Sequence, residues 1–372
     1  MRRELSPAQQ SLANEVDAVL YRAVQASGHR ELFAMLGSEK LLAVHYPRRY
    51  GGRGLSLSEQ AAVAEAIGMR GLPDVVHLVT VHAVGGAILA FGSSPQRSRW
   101  LPEIAAGRLF ASLLLSEPGA GSDLTRIETM AEPSGDSWIL TGTKTWSLHT
   151  DWSDLALCSV RTSDGVGSGR YGGISLFLVE LAAPGVKLIE VPRLASPPYF
   201  QVDLREVRVD AGALIGPLHR GWPLLPTIIG FERWGFDYLS RGRLWLRTAA
   251  AECGRLPERA AAAMKADLVR LGQALDNARA VAFHAAYHAD GLDMDEIVVA
   301  YAKLACGRAA QSVAHWIGQE LLPALGGQID GAAAVTLQAA VAEAPELTIS
   351  GGPVDLQLDL IASEFPIGRA LR

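Results

Sequence analysis

The feature that most constrains this chain is a hydrophobic period that changes twice along its length. From Ser6 to about Phe110 the apolar residues Leu12, Val16, Val19, Leu20 and Ala23 open a pattern of three- and four-residue steps, which is helical. Ser56-Leu57-Ser58-Glu59-Gln60 has the form of a capped helix start, and Leu72-Pro73 and Ser93-Ser94-Pro95 punctuate later helices. Between Phe110 and about Gly216 the period shortens. Gly135-Asp136 separates two short runs in the manner of a hairpin. Leu155–Val160, Ile174–Val179, Val186–Ile189 and Phe200–Leu204 are further strand candidates, with Pro184-Gly185 as a turn. No helix-length segment separates them, so the expected sheet or barrel is antiparallel. After Gly216 long helices return, one from Pro257 to about Ala289 and another from Asp293 to about Leu325.

The expected class is α+β. It comprises an N-terminal helical domain (1–110), a central antiparallel β domain (111–216) and a C-terminal four-helix bundle (217–372). Runs such as Ala260–Ala263 permit close helix packing in that bundle.

Composition removes several functions. Of 372 residues, 34 are Lys or Arg and 39 Asp or Glu, a net charge of −5, and no basic run neutralises a row of phosphates, so no nucleic-acid partner is expected. No stretch reaches the ~20 apolar residues of a membrane span. The N-terminus lacks an apolar signal core, and Cys158, Cys253 and Cys306 are too far apart in sequence for a metal knuckle. A cytoplasmic protein with buried thiols is the expectation.

Two motifs are set aside. Gly167-Ser168-Gly169-Arg170-Tyr171-Gly172 matches a dinucleotide fingerprint, but a strand follows it where a helix is needed to receive pyrophosphate, so it reads as a hairpin loop. His284 and His288 lie four apart on a helix, but without an adjacent glutamate they read as a surface pair, and no metal is expected. Leu113–Leu124 stands out instead. A strand runs into Ser116-Glu117-Pro118-Gly119-Ala120-Gly121-Ser122-Asp123, a turn that exposes backbone N–H groups beside hydroxyls and carboxylates and can cradle a polar or anionic ligand. Leu140–Ser147 then places Trp146 and hydroxyls at a strand end.

Together and in this order, the two segments resemble the acyl-CoA dehydrogenase family. The resemblance extends from Tyr50-Gly51-Gly52-Arg53-Gly54 through Leu101-Pro102-Glu103-Ile104 and Gly173–Val179 to Glu232-Arg233. It implies FAD-dependent α,β-dehydrogenation of an acyl thioester, with hydride transfer to flavin N5 and an electron-transfer flavoprotein as electron acceptor. By position, the Leu113 to Ser116 strand, with Leu115, would line the flavin ring, and Ser116 would bond its pyrimidine side. Gly121 and Ser122 would meet the flavin phosphates or the pantetheine arm. Trp146 would cover the dimethylbenzene edge. Leu148 stands where relatives place a threonine near N5, which leaves Ser147 as the neighbouring hydroxyl. Phe231 and Trp234 are candidate acyl-pocket walls and equally plausible as core.

Many members carry the base in a C-terminal Ile-Tyr-Glu-Gly-Thr string; here Ile349-Ser350-Gly351-Gly352-Pro353 puts glycine at the glutamate's place. Another branch carries it as Glu-Arg on a bundle helix, and Ile229-Gly230-Phe231-Glu232-Arg233-Trp234 matches that branch. Glu232 is therefore the expected base and Arg233 its orienting partner; apolar flanks would raise the pKa of Glu232 toward a useful range. The family's Arg-x-x-Phe-Gly string is missing at Cys253–Pro257, and Pro323 replaces glutamine before Gly326-Gly327. These departures resemble an actinobacterial branch of α2β2 assemblies acting on bulky thioesters such as steroid side chains. Open alternatives are an acyl-carrier-protein thioester as substrate, a flavin monooxygenase, and a partner subunit with reduced activity in a homo- or hetero-oligomer.

Overall fold

The structure, a computed structural model, describes residues 5–22, 28–163, 171–194, 198–289, 295–327, 329 and 331–365, without the side chains at 74, 75, 231 and 232. Helices come first: α1 (Pro7–Arg22), α2 (His29–Ser38), α3 (Leu57–Met69), α4 (Asp74–His77), α5 (Gly85–Phe91) and α6 (Ser94–Ala105). A π-helical turn, Leu78–Val84, joins α4 to α5. Ser56 caps α3 as its sequence implies, accepting from Glu59 N at 3.2 Å while Glu59 Oε2 accepts from Ser56 N at 2.8 Å. Ser93 and Gln96 repeat the device on α6.

Among the described residues eight strands follow: β1 (Ala111–Leu114), β2 (Met130–Ser134), β3 (Ser137–Leu148), β4 (Leu155–Arg161), β5 (Ile174–Glu180), β6 (Val186–Val191), β7 (Tyr199–Asp210) and β8 (Leu214–Ile215). They form one sheet in the order β6-β7-β3-β2-β4-β5-β8, with β1 also on β4. The hairpin turns at Gly135 (φ 62°), with Ser134 facing Ser137. Strands β4 and β5 are buried almost throughout, consistent with their continuous apolar runs.

The sheet is not purely antiparallel. β1 pairs parallel with β4, Ala111 facing Leu155 through Leu114 facing Cys158, and Met130 of β2 pairs parallel with Arg161 of the same strand. A parallel pair needs a long crossover, and here the β2–β3 hairpin supplies it in place of a helix. Both β1 and β2 therefore lie along one edge of β4, and residues 115–129 loop out between them.

The C-terminal helices are α7 (Leu225–Glu232), α8 (Phe236–Cys253), α9 (Glu258–His288), α10 (Glu296–Trp316), α11 (Leu322–Leu325), α12 (Gly331–Glu343) and α13 (Val354–Ala362). Helices α8, α9, α10 and α12 pack together around buried Leu271, Leu275, Ala278, Ala282 and Ala310. Contact is close where Gly242 sits: a Cβ there would lie 3.0 Å from Ala310 and from Leu275. Glu65 of α3 ties the first helices to this bundle through Arg279 at 2.6 Å. The three cysteines are free and buried. Among the described residues no helix is long and apolar enough to cross a membrane.

A buried imidazole cluster sits where α4 and the π-helical turn meet the loop before α3. Burial lowers His45 and His77 to about 4 and pushes His82 well below its ordinary value. A depressed folded pKa makes the stabilising contribution complete above the unfolded value of ~6.5 and progressively lost as pH falls from there toward 4. Urea unfolding between pH 7 and 5 is therefore expected to show stability falling as the unfolded chain takes up as many as four more protons, three from this cluster and one from His149, which burial also lowers to about 4; a flat profile over that window would contradict it.

Candidate active site

The loop between β1 and β2 is built around one buried ion pair. Glu117 and Ala120 exchange backbone hydrogen bonds of 2.8 and 3.0 Å, closing a tight turn. This leaves Gly119, Gly121 and Ser122 at the surface, and a Cβ on either glycine would meet nothing within 4 Å. Glu117 points the other way. Its carboxylate accepts from Lys144 Nζ at 2.7 Å, Glu128 N at 2.6 Å and Thr129 N at 3.0 Å. Lys144, with its side chain 0% exposed, also donates to Leu115 O at 3.2 Å and Ser159 Oγ at 3.4 Å, so its three donors are all used. Burial opposes charge on Glu117, yet Lys144 and the hydrogen bonds to Thr129 and Glu128 outweigh it and hold the carboxyl below the usual range. Arg161 fixes the far limb of the loop through Thr125 O and Ile127 O.

The end of β3 is distorted beside this turn. Thr145 N donates to Ser116 O at 2.9 Å, and the register with β7 shifts between Lys144 and Ser147. Trp146 occupies that bulge at φ 58°, a conformation that costs an aromatic residue ~1–2 kcal/mol, and it is 59% exposed. Its ring meets Tyr199 edge-on at 6.1 Å. Leu113, Leu115 and Leu148 are half-buried against one core cluster, and Ser147 Oγ donates to Leu113 O at 2.9 Å, tying β3 to β1. His149 repeats the left-handed backbone at φ 50°, with Nδ1 buried and lacking a hydrogen-bond partner. Ser116, Trp146, Ser147, Leu148 and the β1 leucines are thus brought into one neighbourhood.

The second candidate region is at the end of α7. This helix closes at Glu232, with Arg233 as its cap and Gly235 (φ 77°) turning the chain into α8. Arg233 Nε donates to Gly351 O at 2.5 Å, Tyr238 Oη to Ser350 O at 2.9 Å, and Lys303 Nζ to Gly352 O. A Cβ on Gly351 would lie 3.8 Å from Arg233 Cγ. Gly351, which the resemblance sets at the place of a glutamate, is therefore beside Arg233 and carries no side chain. Trp234 is buried, edge-on to His82 at 5.3 Å. The side chains of Phe231 and Glu232, and the segment 164–170 with most of the glycine fingerprint, lie outside the described residues.

Sequence reasoning missed the Glu117–Lys144 pair. The available signal was strand alternation: Lys144 is four residues beyond buried Leu140 and on the same face of β3, and an inward lysine demands a carboxylate. His284 and His288 are exposed, 4.3 Å apart, and among the described residues no group of three or more His, Cys, Asp or Glu could hold a metal ion.

Two family models match the chain in succession, the acyl-CoA dehydrogenase N-terminal domain over residues 5–108 and the acyl-CoA dehydrogenase middle domain over residues 112–208. Together they take in more than half of the sequence, and the chain belongs to the acyl-CoA dehydrogenase family. It is 33% identical over 206 residues to acyl-CoA dehydrogenase FadE26 of Mycobacterium tuberculosis, covering 55% of this chain and 51% of that one. The chain spans about half the length of the curated relatives it matches. Among solved structures it is similar to the ChsE4-ChsE5 complex from Mycobacterium tuberculosis, with a TM-score of 0.80 and 25% identity over 98% of each chain. It also shares the fold of butyryl-CoA dehydrogenase from Megasphaera elsdenii, with a TM-score of 0.83, 19% identity and 100% of both chains covered.

Proposed function

We propose that this chain binds FAD and removes the α and β hydrogens of an acyl-CoA thioester, with Glu232 as the base. The observation that carries the reading is the Trp146 bulge: an exposed indole is held at a strained backbone angle beside Ser116 and the open glycine turn, and strain of this kind collects where a ligand is gripped. The residues fit a flavin. Trp146 offers a flat apolar face, the β1 leucines a half-buried wall, and Gly119, Gly121 and Ser122 unobstructed N–H and hydroxyl groups for phosphate. FAD, when bound, supplies the hydride acceptor. Glu232 takes the α-proton, Arg233 orients it from the helix cap, and Phe231 and Trp234 stand at the acyl end. An electron-transfer flavoprotein is the implied acceptor partner. Exposed Val335, Ile349, Leu356 and Leu358 on the C-terminal segments support assembly with a second chain.

The test is anaerobic titration of the purified, FAD-loaded chain with acyl-CoAs of graded bulk, alone and together with a second acyl-CoA dehydrogenase chain. Loss of the flavin's visible band is expected. A preparation that neither retains FAD nor bleaches in either arm overturns the reading.

A further inference from the structure

His45, His77 and His82 form a buried cluster that the proposed reaction does not use. The His45 and His82 rings stack at 5.3 Å and 2° between planes, His77 stands edge-on to His82 at 5.6 Å, and Trp234 closes the other side at 5.3 Å. The two outer imidazoles are anchored: His45 Nδ1 pairs with Gln60 Oε1 at 3.0 Å, and His77 Nε2 donates to Leu42 O at 2.8 Å. His82 is 1% exposed, and neither of its ring nitrogens has a hydrogen-bond partner. His77 Nδ1 lacks one too. A buried neutral imidazole carries one N–H and one lone pair, and leaving such groups dry is unfavourable enough that native proteins rarely do so without a reason.

The backbone around His82 is equally unusual. It is carried by the π-helical turn Leu78–Val84, a conformation that concentrates at functional sites. Tyr46 Oη holds that turn by donating to Val81 O at 2.7 Å. Helix α7 packs on the same turn, and Trp234, the ring that meets His82, is two residues beyond Glu232. If Glu232 removes the α-proton, as proposed above, the acyl group is bound at the end of α7, two residues before Trp234, whose ring meets His82.

We infer that His82 hydrogen-bonds an oxygen carried by the acyl portion of the thioester, a hydroxyl or a carbonyl, and that the site selects oxygenated acyl groups. A hydroxyl complements either face of the imidazole, accepting from its N–H or donating to its lone pair; a carbonyl accepts from the N–H. An acyl group without oxygen leaves the imidazole orphaned, and a site built to hydrogen-bond its substrate discriminates strongly against such analogues.

The experiment uses the FAD-loaded full chain in a Glu232→Gln background, so that binding is read without turnover, by quenching of tryptophan fluorescence. The probes are the CoA thioesters of cyclohexanecarboxylate and of its 3-hydroxy, 4-hydroxy and 4-oxo derivatives. At least one oxygenated probe is expected to bind ten- to a hundredfold more tightly than the parent. His82→Leu should bring that ratio near one, and His82→Asn should restore part of it. Should His82→Leu fail to fold, the imidazole nitrogen resonances of His82 in the otherwise unaltered chain should shift with an oxygenated thioester and not with the parent. Equal affinities across the panel, a preference that survives His82→Leu, or unmoved resonances overturn the inference. Flavin bleaching with Glu232 intact reads the base assignment separately, so the two failures are distinguishable.

Discussion

Replacing Glu232 by glutamine is expected to leave the chain yellow and to remove flavin bleaching by substrate, with a fall in the reductive rate of about 10²- to 10⁴-fold, the usual contribution of a positioned general base. Position 232 is the last residue of α7, one turn beyond Ile228, which is fully buried in the core that also contains Val79, Val81 and β1. The competing carboxylates are weaker candidates. Position 351, where the resemblance would put the alternative base, is glycine and has no group to offer. Asp237, the next carboxylate along, is buried, and although burial raises its pKa it is paired with Arg241 at 3.2 Å, which also reaches Glu343 at 3.3 Å. An acid held in that network is not free to meet a substrate. Glutamine keeps the shape of the side chain and one accepting oxygen while removing its charge and basicity, so flavin affinity should change little. Bleaching by the variant at the rate of the parent chain would sink the assignment.

How far the sequence reached depended on how local each determinant is. The Ser56 cap, the helix boundary at Ser93-Ser94-Pro95, the Gly135 hairpin and the apolar runs of β4 and β5 are set within a few residues, and their positions followed directly. The parallel pairing of β1 with β4 was out of reach because it joins segments about forty residues apart, through a hairpin that serves as the crossover. The site divides in the same way. The Ser116–Asp123 turn, Trp146 and the Glu-Arg pair were legible as strings. The contact of Arg233 with Gly351 was not, since it spans 118 positions. The histidine cluster was missed for a further reason: His45, His77 and His82 show no ligand spacing, and only the packing of the π-helical turn against the loop at His45 makes His82 the shared neighbour of the other two.

The second large effect is expected at Lys144. Lys144→Met leaves Glu117 ionised, enclosed and without its counter-charge, a change that typically costs ~3–5 kcal/mol, whereas replacing both partners together with apolar groups of similar volume is often close to neutral. The double variant Glu117→Leu/Lys144→Met should therefore regain much of the stability lost in the single one. It should not regain flavin retention, because the Glu117 carboxylate also receives Glu128 N and Thr129 N and so fixes the loop that carries Gly121 and Ser122. The pH dependence separates this account from simple loss of packing. In the parent chain Glu117 is held below its ordinary pKa, so its contribution is complete above the unfolded value of ~4.3 and disappears as pH falls through the folded one. In Lys144→Met, burial, the largest effect on Glu117, is opposed only by the hydrogen bonds from Glu128 N and Thr129 N, so the pKa moves up, and the variant's penalty is complete above the new pKa and relaxes as the carboxyl takes up a proton. The stability difference between the two chains should thus be large at pH 8 and shrink toward pH 5. The histidine contribution is common to both and cancels in the difference. A gap that is the same at both pH values would show that Lys144 acts through its methylenes and not through its charge.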